Sequence, residues 1–120
     1  MISQEEISKR KPIWLALSEF YLDTELNDAD FKRIAGILKD SRYSFEKLKQ
    51  IDYEEVAPVV YPNTLSVAGE WAGFNEEWLI EEIVKRLNQK KRNSIFNKIY
   101  KKYIDSVTNS FWEQIEKYLL

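Results

Sequence analysis

The chain contains no cysteine and no histidine. Without cysteine there is no disulfide, no thiolate nucleophile and no zinc–thiolate centre. Without histidine it lacks the one side chain whose ordinary pKa lies near neutrality, and the commonest transition-metal ligand. Ser-His and Cys-His nucleophile pairs are therefore excluded. Enzymatic chemistry would have to rest on carboxylates, lysine or tyrosine, or on a hard cation held by oxygens. The expectation from that inventory is a protein that is not an enzyme and needs no cofactor. No apolar run approaches the ~18 residues of a membrane span, and the opening MISQEEISKRK has no signal-peptide core. A cytoplasmic protein is expected.

Glycine and proline are scarce, three of each. Pro58, Pro62, Gly69 and Gly73 gather in one region, while Pro12 and Gly36 sit inside segments with helical spacing. That distribution predicts helices on both sides of one structured loop, at about residues 62–74. What the chain does have is aromatic bulk: four Trp, seven Tyr and six Phe in 120 residues, enough to build a rigid core or a sticky patch. With 44% hydrophobic and 32% charged residues and no internal repeat, it reads as a single domain over residues 1–120.

Ser3 has capping-box spacing to Glu6 and predicts a short first turn, after which Pro12 suits the first position of a helix. Ile13, Trp14, Leu17, Phe20 and Tyr21 then recur at helical steps. Asn27 or Asp28 can cap a second helix carrying Phe31, Ile34, Ala35 and Leu38 on one face. Ser44 caps a third, with Phe45, Leu48 and Ile51 inward, and Asp52 begins a short fourth running to about Val60. Within it Pro58 is tolerated in the first turns or marks a kink. Asn75 caps the next helix, with Trp78, Leu79, Ile83 and Leu87 on one face. From Ile95 to Leu119 apolar residues, Tyr103, Ile104, Val107, Phe111 and Ile115 among them, keep three–four spacing. They predict one long amphipathic C-terminal helix. The fold class is therefore all-α, a single domain of five or six helices with one structured loop.

The net charge of −2 hides a segregation. Glu19 to Asp30 holds five acids and no base, and Gln50 to Val84 holds eight acids and no base. Lys85 to Lys102 holds eight bases and no acid. The basic segment 85–102 fits a phosphate-binding surface for nucleic acid. It also fits a solvated face that pairs with Glu76–Glu82, which the pI of about 5.3 favours. The acidic stretches fit a surface complementary to a basic partner. Helix N-terminal preference accounts for Asp28, Asp30, Glu76 and Glu77 but not for Asp23, Glu25 and Glu70. Asp23, Glu25 and Asp28 lack the glycine and spacing of a calcium loop, so no metal site is expected.

The segment Pro58 to Trp78 reads PVVYPNTLSVAGEWAGFNEEW. A loop this long in a small domain has a task or packs on itself, with Trp71 and Phe74 as anchors and Glu70 in need of a donor. Trp14-Leu-Ala-Leu-Ser18, Tyr21-Leu-Asp-Thr-Glu-Leu26, Glu55-Val-Ala-Pro58 and Asn63-Thr-Leu-Ser-Val-Ala-Gly-Glu-Trp-Ala-Gly-Phe74 together resemble a family of small bacterial proteins. That family is associated with immunity proteins of contact-dependent growth inhibition and related toxin systems. The resemblance implies an intracellular inhibitor that binds and blocks a cognate toxin domain. A nuclease is the expected target, because nucleases need a basic groove for their substrate. Asp23, Glu25, Asp28, Asp30, Glu70 and Trp71 are then the expected partner-binding residues, acids and an aromatic anchor set against that groove. The alternative is a nucleic-acid-binding or regulatory protein using segment 85–102.

Overall fold

A computed structural model describes residues 2–21, 26–60, 75–89 and 94–119, with side chains of the last segment from residue 101. Among these residues the chain forms five α-helices and no strand: α1 (Gln4–Ser18), α2 (Asp28–Asp40), α3 (Phe45–Ile51), α4 (Glu76–Gln89) and α5 (Ser94–Leu119). The all-α fold class and the long C-terminal helix are as the spacing predicts. The loop at about 62–74 lies outside the described residues.

The starts of α1 to α4 each have a chemical cause. The Ser3 side chain accepts from the Glu6 N–H at 3.1 Å, and that of Ser44 from the Lys47 N–H at 3.1 Å. Asn75 accepts from the Trp78 N–H at 3.0 Å. Asn27 and Asp30 close a reciprocal capping box at 2.9 and 3.0 Å. These contacts satisfy donors that a helix start otherwise leaves unpaired. At the end of α2, Arg42 adopts φ 64°, the left-handed turn that glycine ordinarily supplies, and its N–H closes on the Lys39 carbonyl at 3.1 Å.

Pro12 corrects the expected start of the first helix. It lies inside α1, which begins at Gln4. Proline cannot donate to the Ser8 carbonyl, but Pro12 and Ser8 are both exposed, so water can replace the missing donor. The Ser3 cap therefore prevails, and the expected short turn and following helix are one element. The separate fourth helix is also corrected. α3 runs directly into a π-helical stretch, Asp52–Val56, and residues 57–60 continue helical. The Ala57 N–H reaches back five residues to the Asp52 carbonyl. Pro58 has no N–H for the Glu54 carbonyl, so a widened turn just ahead of it absorbs the break without ending the helix.

One hydrophobic core joins the described elements: Ile13, Trp14 and Leu17 of α1, Ile34 and Leu38 of α2, Leu48 and Ile51 of α3, Leu79 and Ile83 of α4, and Ile104, Trp112 and Ile115 of α5. The buried stripe of α5 differs from the predicted one. Ile104, Thr108, Trp112 and Ile115 are buried, whereas Tyr103 is 53% and Val107 38% exposed. Trp112 turns the helix, packing edge-on against Phe20 at 5.4 Å and Phe45 at 5.6 Å. Phe111 stacks on Phe20 at 5.1 Å. Thr108 can sit inside because its hydroxyl donates to the Ile104 carbonyl at 2.9 Å. Among the described residues, no helix is long and apolar enough to cross a membrane.

Candidate functional site

The acids of the chain fall into two environments. The first is the π-helical stretch, which turns two carboxylates inward. Glu55 is 5% exposed and accepts from the Trp14 indole N–H at 2.8 Å and the Arg10 guanidinium at 2.6 Å. Arg10 also donates to Glu6 at 3.0 Å, and the Tyr43 hydroxyl reaches the same Glu6 oxygen at 3.3 Å. Lys9 stands over the Tyr43 ring at 4.4 Å. Burial draws the Arg10 pKa down, but Glu55 and Tyr43 outweigh it and hold the guanidinium above its ordinary value. A buried charge paired in this way is neutral as a unit.

Asp52, on the same stretch, is 1% exposed and has no base among the described ion pairs. The Tyr21 hydroxyl lies 2.9 and 3.0 Å from its two oxygens. Burial pushes the Asp52 carboxyl up to about 7, against the pull of Tyr21 and Trp112 and with help from the negative charge of Asp105.

The second environment is the surface. Asp28 is exposed and accepts a hydrogen bond from the Tyr118 hydroxyl, which raises the Tyr118 pKa. Asp30 serves the capping box and lies 3.4 Å from Arg33. Arg33 makes two hydrogen bonds to Glu19, at 2.6 and 2.8 Å, which raise its pKa above the ordinary value. The run Glu19–Asp30, free of bases in sequence, thus acquires one in space. On α4, Glu76, Glu77 and Glu81 are exposed. No described ion pair joins them, or Glu82, to Lys85 or Arg86, although Glu81 and Lys85 are one helical turn apart.

Of the expected partner-binding residues, the structure therefore places Asp28 and Asp30 together at the start of α2. Asp23, Glu25, Glu70 and Trp71 lie outside the described residues, as do Lys90, Lys91 and Arg92 of the basic segment. Lys85, Arg86, Lys101 and Lys102 are exposed. Among the described residues, no group of three or more carboxylates gathers as a metal site.

A family model described as a domain of unknown function (DUF7079) matches residues 8–118. The chain belongs to this family. No curated protein and no solved structure matches it. The DUF7079 match runs from α1 through almost all of α5, and so takes in Arg10, Trp14, Asp52, Glu55 and Trp112. The inward carboxylates were not among the expected site residues. Their signal was present: Asp52 and Glu55 continue the inward spacing of Leu48 and Ile51, so helical periodicity carries both onto the buried face.

Proposed function

We propose that this protein is a cytoplasmic immunity protein. It binds and blocks a cognate bacterial toxin domain, a nuclease, by presenting acidic and aromatic groups to that partner's basic groove, and it is not an enzyme. The observation that carries this reading is the exposed acidic start of α4. Glu76, Glu77 and Glu81 face solvent with no base joined to them by a described ion pair. Asp28 adds a further exposed carboxylate at the start of α2. Exposed acids joined to no base steer association with a positively charged partner and penalise wrong ones.

The residues behind the resemblance divide in the same sense. Trp14, Leu17, Tyr21, Glu55, Val56 and Ala57 are all buried, so they maintain the scaffold, and contact with a partner falls to exposed residues. Protein pairs that must neutralise an escaped toxin benefit from fast encounter and slow release, which is what charge complementarity around buried aromatic anchors supplies.

The test is to read the neighbouring genes for a toxin with a nuclease domain and to co-express that domain with this chain. Wild type is expected to restore growth, and a Glu76→Lys/Glu77→Lys/Glu81→Lys variant with unchanged helicity to lose that protection. Reversal of Lys90, Lys91 and Arg92 to Glu is expected to leave protection intact. The opposite pattern, with polynucleotide binding abolished by the basic reversal, establishes the nucleic-acid reading instead.

A further inference from the structure

α5 has a buried stripe and an exposed one. Ile104, Thr108, Trp112 and Ile115 form the first, and Phe111 beside them meets Phe20 at 5.1 Å and Phe31 of α2 at 6.0 Å. Tyr103 and Val107, one helical turn apart, form the second, on the side of the helix away from Trp112. They are the large hydrophobic side chains left exposed among the described residues. Exposed hydrophobics scattered singly are ordinary, but two on successive turns make a continuous patch.

The surroundings of that patch suit a second helix. Ser106 and Ser110 border it, both exposed and small, so another backbone can come close. The Ser106 hydroxyl already donates to the Tyr103 carbonyl at 2.7 Å, so covering it strands no donor. Along the same border stand one base and one acid, Lys102 and Glu113. Both are exposed, and no described ion pair engages either. The separation from 102 to 113 is about three helical turns, which sets the two charges on one flank of the patch. They lie equally far before and after the Val107–Thr108 peptide.

We propose that α5 pairs antiparallel with α5 of a second copy of this chain, about a two-fold axis at Val107. A two-fold contact has to be complementary to itself, so each feature needs its match elsewhere on the same surface. Antiparallel pairing supplies that match. The two Val107 side chains meet at the axis, and each Tyr103 lies across from the turn holding Phe111 and Gln114. Each Lys102 then faces the other copy's Glu113, so an ion pair closes both ends. Parallel pairing would instead set lysine against lysine and glutamate against glutamate, which like charge disfavours. The contact spans only a few turns of one helix, so a weak dimer is expected, with a dissociation constant on the order of 100 μM. The pairing uses none of Asp28, Glu76, Glu77 and Glu81, so it goes beyond the toxin-binding reading and does not depend on it.

Sedimentation equilibrium of the full chain without toxin, from about 10 μM to about 1 mM, is the test. Wild type is expected to pass from monomer to dimer across that range. Lys102→Glu and Glu113→Lys, each with unchanged helicity, are expected to pair about tenfold more weakly, because either reversal sets like charges together at both ends. An equimolar mixture of the two variants should regain wild-type pairing, since each copy then meets the opposite sign at both ends. Cross-linking gives a second readout, because the chain has no cysteine of its own. Val107→Cys should oxidise to a disulfide dimer faster than Asn109→Cys, whose position is exposed on another side of α5. Wild type that stays monomeric at about 1 mM leaves the patch to another occupant and overturns the proposal. So does a single reversal that pairs like wild type, a mixture that pairs no better than its components, or equal cross-linking of the two cysteine variants.

Discussion

The π-helical stretch and the N-terminal half of α4 are both dense in acid, yet they treat it in opposite ways. Asp52 and Glu55 point into the core and are held by Tyr21, Trp14 and Arg10. Glu76, Glu77 and Glu81 point into water and are joined to no described base. In sequence these acids belong to one run without bases. In space the run divides into a structural part, where a carboxylate is tolerated because specific donors meet it, and a surface part, where water solvates it.

The largest expected effect lies on the structural side. Arg10→Met leaves the Glu55 carboxylate buried with the Trp14 indole as its described donor, and should destabilise the fold by about 3 kcal/mol in urea unfolding. Adding Glu55→Leu should recover part of that loss, because the stranded charge is gone. A loss under about 1 kcal/mol for Arg10→Met would show that the inward acids are no more structural than surface ones.

Next comes a loss that depends on pH. The difference in unfolding free energy between wild type and Asp52→Asn should move against wild type from about pH 5 to 7, because the folded chain holds a proton that the unfolded chain has released. A difference that is flat over this range would make Asp52 equivalent to an amide.

A smaller effect is expected at the surface pair. Arg33→Ala breaks two contacts to Glu19, but the Arg33 side chain is 48% exposed, so the cost should stay below about 1 kcal/mol. A larger cost would move Glu19 to the structural side of the comparison.

Much of the scaffold was legible because its rules are local. Ser3, Asn27, Ser44 and Asn75 announce helix starts through side-chain oxygens placed ahead of apolar steps, and all four cap. Trp14, Leu17, Ile34, Leu38, Leu79 and Ile83 follow helical spacing and are fully buried. What escaped depends on tertiary contacts. Pro12 reads as a helix start until the stronger Ser3 cap is set beside it. Tyr103 and Val107 share an apolar stripe with Ile104, and only the aromatic seat of Trp112 decides which side of α5 turns inward. Asp52 and Glu55 read as surface acids because carboxylates seldom lie inside without partners, and those partners stand on α1 and the turn after it. The candidate surface was legible as charge. That Arg33 reaches back to Glu19, and that Lys85 does not pair with Glu81, required the fold.

The central claim is that the outward acids recruit a basic toxin domain. Its most direct test is the association rate of the purified pair at several ionic strengths. Fast association that slows steeply with salt is expected for wild type. Glu76→Lys/Glu77→Lys/Glu81→Lys should have a flattened salt dependence, with only a small fall in thermal stability from the loss of acids at the helix start. Equal rates and equal salt slopes for the two proteins would contradict it.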